Sequence, residues 1–174
     1  MFKKLVLLFS LSFLLVGLLP AQPASGKDFL KSLVAKMNKK NIGYFVIPAS
    51  GEPDGFIGIN YLKGVSLIVI HSRVTKDNLP FVKEELRNKN YRKVYQDLSM
   101  MKGNTYTVVF DFMIDDLSTD SSSGDFIKEN DTVHYLNRSY SDNGFSSHDE
   151  YKNFIDRTRT NYFKWLEEID KALS

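Results

Sequence analysis

No cysteine occurs in the 174 residues. Its absence excludes disulfides, thiolate metal sites and cysteine nucleophiles. Small exported eukaryotic domains usually lean on disulfides, so a body that folds without them fits a bacterial periplasm or exterior. Phosphate-cradling loops are also missing: neither Gly-x-x-x-x-Gly-Lys nor Gly-x-Gly-x-x-Gly appears. No Gly-x-Ser-x-Gly elbow offers a serine nucleophile. His71 and Ser72 are neighbours on an expected strand, where successive side chains point to opposite faces, so they cannot act as base and nucleophile. The three histidines, His71, His134 and His148, stand at no metal-ligand spacing.

A long apolar run occurs once, at the start. Lys3 and Lys4 precede an almost uncharged stretch from Leu5 to Leu19, followed by Pro20-Ala21 and Ala24-Ser25-Gly26. A basic start, an apolar middle and small residues at the end form a secretory signal. The run is about 15 residues, and a membrane span needs roughly 20. Residues 1–24 therefore read as a cleavable signal peptide cut after Ala21 or Ala24, with an uncleaved anchor as the alternative. The mature chain is expected in the periplasm or outside the cell, without a transmembrane anchor. Losing Lys3 and Lys4 takes the basic count from 23 to 21 against 21 acidic residues, so the mature chain is neutral. A neutral surface lacks the field that nucleic acid requires, and no nucleic-acid partner is expected.

Residues 27–174 read as one α+β domain, since no repeat or linker divides them. Asp28 introduces Phe29-Leu30-x-x-Leu33-Val34-x-x-Met37, an amphipathic helix closed by Asn41-Ile42-Gly43. Tyr44–Ile47 is a short strand. Phe56–Leu62 and Val65–Ser72 form two more around Lys63-Gly64, a hairpin signal. The second run is apolar on both faces and belongs mid-sheet. A helix starts near Asp77 with Pro80 in its first turn. Tyr91–Leu98 fits helix or strand, and Val94 and Tyr95 favour a strand. Tyr106, Val108, Phe110, Phe112 and Ile114 alternate on one strand face, and Thr132–Tyr140 is the last strand. Ser147 and Glu150 make a capping box for a long terminal helix that runs through Trp165 to Leu173. The expected architecture is a mainly antiparallel sheet with an N-terminal helix, one inserted helix and this long helix packed on the sheet.

Two stretches offer binding chemistry. Ser72, Arg73, Thr75 and Lys76 lead from a central strand into a helix N-terminus, where backbone N–H groups and added donors favour an anion. Asp115, Asp116, Asp120 and Asp125 supply hard oxygens for calcium, although their spacing misses the EF-hand register and equally fits a solvated loop.

From Asp28 to about Tyr140 the element order (helix, three-strand meander, helix, further strands) resembles the flavin-binding split barrels of the pyridoxamine-phosphate-oxidase kind. In that family the segment after the third strand helps bind the flavin phosphate, and the matching stretch here is Ser72 to Lys76. The resemblance implies FMN there and an enzyme or cofactor carrier. With no catalytic constellation in the residues themselves, the primary expectation is a non-catalytic domain that binds a small ligand or an envelope protein, with no cofactor.

Overall fold

The computed structural model describes residues 26–62, 66–101, 105–111 and 126–174. Six strands pair antiparallel in the order the chain makes them: β1 (Tyr44–Pro48), β2 (Gly55–Leu62), β3 (Ser66–Arg73), β4 (Thr105–Asp111), β5 (Phe126–Glu129) and β6 (Thr132–Tyr135). Four helices accompany them: α1 (Gly26–Lys39), α2 (Leu79–Arg87), α3 (Tyr91–Met100) and α4 (His148–Leu173). The α+β class, the antiparallel sheet and the long terminal helix follow the sequence reading. Among the described residues no ladder joins β1 to β6.

Alternation along the strands gives the sheet two apolar faces. Ile57, Ile59, Leu67, Val69 and Ile127 pack with α1 and α4. Val46, Phe56 and Ile70 pack with α2 and α3. β2 and β3 are therefore buried on both sides, as their unbroken apolar runs require. Each fully buried aliphatic side chain contributes roughly 1.5–3 kcal/mol relative to exposure.

Two expectations are corrected. Tyr91–Leu98 is helical, so two helices rather than one separate β3 from β4. Tyr91, Val94, Tyr95 and Leu98 share one helical face, and the apolar surface of β1–β3 needs that cover. Tertiary packing thus overrides the strand preference of valine and tyrosine. Gly58 makes the approach possible: a Cβ there would lie 2.9 Å from Tyr95 Cδ2 and 3.0 Å from Ile70 Cγ1. Lys89, at φ 58°, ends α2 in the left-handed region and turns the chain into α3. The second correction concerns the last strand, which stops at Tyr135. Its partner Phe126–Glu129 is a strand that the sequence did not announce.

α4 crosses the whole sheet. Phe154 lies against His134 of β6, Trp165 against His71 of β3, and Glu168 accepts a hydrogen bond from the Ser50 backbone beyond β1. Its 26 residues span about 39 Å at 1.5 Å each. No described helix is long and apolar enough to cross a membrane.

Candidate functional site

An open cleft of about 540 Å³ lies between the β5–β6 hairpin and the first turns of α4. Asn130, at φ 53°, turns the hairpin in a conformation that asparagine tolerates better than most residues. The chain then folds around Asn143. Its Oδ1 accepts from the Tyr135 N–H at 2.7 Å, and its Nδ2 donates to the carbonyls of Tyr135 and Ser139 at 2.9 and 3.2 Å. Gly144, at φ 82°, lets Phe145 turn inward, and the Ser147 hydroxyl caps α4 by accepting from Glu150 N. Glu150 closes the box one residue early, accepting from Ser146 N at 2.9 Å.

The floor of the cleft is aromatic. His134 is buried between Phe145 and Phe154, with ring centroids at 5.0 and 4.7 Å. Its Nδ1 is 3.2 Å from the Asn143 carbonyl, which can only accept, so Nδ1 carries the proton. The rim is polar and of mixed sign. Arg157 sits over the Phe154 ring and 3.8 Å from Glu129, too far for a hydrogen bond, so both groups keep bonding capacity. Thr132, Asn153 and Glu150 complete it.

A second polar cluster lies at the end of β3. His71 and Arg73 share a strand face and both reach Glu52, which the turn before β2 folds back toward them. Arg73 Nε donates to Glu52 Oε2 at 2.9 Å, and His71 Nε2 is 3.1 Å from the same oxygen without hydrogen-bond alignment. Only glycine fits at position 55, because a Cβ there would meet Glu52 Cβ at 2.7 Å. Burial alone raises the Glu52 carboxyl, but the Arg73 hydrogen bond and the charges of His71 and Arg73 outweigh it and hold the group below its ordinary value. Burial lowers His71, and Glu52 only partly opposes the shift.

These contacts decide where the expected anion site falls. Ser72 is fully buried on the α2–α3 side, whereas Arg73 points the other way and is engaged by Glu52. Thr75 and Lys76 are exposed in the turn before α2, where the Thr75 carbonyl accepts from Asn78 N and Leu79 N. The four residues are not brought to one point. Asp115, Asp116, Asp120 and Asp125 lie outside the described residues, as do residues 1–25. Among the described residues, no group of three or more His, Asp or Glu side chains is arranged to hold a metal ion. Ser99 stands three residues before Lys102, a spacing known from serine acylases, but its hydroxyl donates to the Gln96 carbonyl and Lys102 is not described.

Sequence reasoning missed Glu52 and the hairpin cleft. The available signal for Glu52 was the shared face of His71 and Arg73 together with the β2–β3 register, which sets Gly55 opposite Arg73. The cleft had none, because His134 and Phe154 meet only once α4 is docked. Compared with known proteins, the chain matches no family model, no curated protein and no solved structure.

Proposed function

We propose that this chain is an exported, non-catalytic binding domain, periplasmic or secreted once residues 1–24 are removed, and that its ligand occupies the hairpin–α4 cleft. One observation carries the reading: an aromatic floor of Phe145, His134 and Phe154 lies beneath a rim on which donors and acceptors of both signs keep free capacity. Arg157 is balanced by Glu129 and Glu150, so the cleft suits a small, uncharged molecule rich in hydroxyl or amide groups rather than a phosphate or a dianion. The alternative, an enzyme or cofactor carrier with FMN or another anion at Ser72, Arg73, Thr75 and Lys76, has less support. The Glu52 carboxylate already accepts from Arg73 Nε and offsets its charge.

A thermal-shift screen tests the reading with neutral sugars and amides against FMN and nucleotides. A ligand at 100 times its Kd adds about 2.7 kcal/mol. The expected shift comes from a neutral hydroxylated or amide compound and is lost in Arg157→Ala and in Asn153→Ala. Yellow protein, or a shift from FMN that disappears in Arg73→Ala, would overturn it. Export is tested by the mass of native material: Met1 retained in a cytosolic fraction would defeat that part.

A further inference from the structure

Side chains seal the β1 edge of the sheet. Val46 is 2 % exposed, and the rings of Phe45 and Tyr91 meet across the strand with centroids 5.0 Å apart. Phe45 and Ile47 pack with the α1–α4 layer, whereas Leu86 and Tyr91 pack with the α2–α3 layer. The seam between the two cores therefore surfaces at this edge. All four side chains are only half-buried, and with Pro48 they line an open cleft of about 490 Å³. A guest that covered them would take further apolar surface out of water.

The charged residues that border this cleft are Lys83 and Arg87, both cations. They stand four residues apart on α2 and so share one face of the helix, where like charges repel. At the same spacing α3 and α4 do the reverse, pairing Lys93 with Asp97 and Lys152 with Asp156. Lys83 and Arg87 form no ion pair among the described residues. Arg87 Nε donates to the Lys83 carbonyl at 3.4 Å, which leaves both terminal guanidinium nitrogens able to donate elsewhere. Lys89 and Arg92, lining the adjoining cleft, add to the positive field.

We propose that this cleft holds a single amphiphilic carboxylate, a molecule with one short acyl chain and one anionic head. The chain lies on Phe45, Ile47, Leu86 and Tyr91, and the head accepts hydrogen bonds from Arg87 and Lys83. Neither half of the ligand suffices alone. An inorganic anion would leave the apolar seam wet, and a neutral chain would leave the two cations unmatched. A guest strand finds no partner here, because Val46 is covered with its backbone. The site lies on the opposite edge of the sheet from the hairpin–α4 cleft, and it takes an anion where that cleft suits a neutral molecule.

The test titrates the full chain at neutral pH with monomeric octanoate and follows backbone amide signals by NMR. Octanol, octylammonium and phosphatidylglycerol vesicles serve as comparisons. Octanoate is expected to shift Leu86 and Tyr91 and to leave Asn153 and Phe154 unmoved. Losing the charge-assisted hydrogen bond should make octanol about tenfold weaker, and octylammonium should not bind. Hexanoate, shorter by two methylenes, should bind roughly tenfold more weakly than octanoate. Lys83→Gln combined with Arg87→Gln, both at exposed positions, should bring octanoate down to the affinity of octanol and leave octanol unchanged. Equal binding of octanoate and octanol, equal binding of hexanoate and octanoate, or shifts confined to Asn153 and Phe154 would overturn the proposal. Binding to vesicles without binding of monomeric octanoate would overturn it in favour of a lipid surface. These comparisons on the unmodified chain decide the matter even if the double variant does not fold.

Discussion

His71 and Trp165 stack face to face, with ring centroids 5.0 Å apart and planes within 4° of parallel. The contact joins the middle of α4 to a central strand, and Trp165 is the chain's only tryptophan. Truncation there opens a void between helix and sheet. Trp165→Ala should cost roughly 3–5 kcal/mol of unfolding free energy by urea titration. A loss below about 1 kcal/mol would show that α4 does not close the core through this residue.

The same pair gives a pH dependence with a definite sign. His71 is held below 6.5 in the fold, so the unfolded chain binds a proton at higher pH than the folded one. Proton uptake then favours unfolding, and stability falls as pH drops below about 6.5. Glu52, held below 4.5, is also stabilising when ionised, and its contribution is lost as pH falls further below that value. The melting temperature should therefore decline from pH 7 to 5. His71→Gln should flatten that arm while leaving the steeper loss below pH 4.5, and Glu52→Gln should reduce the latter. An unchanged slope in His71→Gln would assign the dependence to other groups.

Gly58 and Tyr95 are coupled through contact. The Cβ of Gly58→Ala would intrude on the Tyr95 ring and on Ile70. The substitution should cost about 1–3 kcal/mol, and less in a Tyr95→Leu background, where the ring edge is gone. Additive penalties in that double-mutant cycle would mean that α3 does not rest on β2 at this point.

Much of this architecture is written locally. Ser147 and Glu150 mark the start of α4, and Tyr151, Phe154, Ile155 and Trp165 fix the face it buries, because helical spacing and capping are short-range properties. The β2–β3 pair is equally legible from its apolar runs. The failures share a cause. Tyr91–Leu98 carries residues that suit a strand, and only the exposed apolar face of β1–β3 decides in favour of a helix. Phe126–Glu129 is four residues long, too short for alternation to stand out. The site residues are the least legible, since Glu52 meets Arg73 21 residues away and His134 meets Phe154 across a loop and a helix turn.

The end of α4 is also tied to α1. Lys36 pairs with Asp170 at 2.6 Å, and Lys40 donates to the Leu173 carbonyl. Ile169 and Leu173 share a buried cluster with Leu33 and Met37. During ribosomal synthesis the first helix emerges long before its cover, and Leu33 and Met37 stay wet until residues 165–173 have left the exit tunnel. Burial of this part of the core therefore waits for α4, a contact between distant parts of the chain rather than between neighbours.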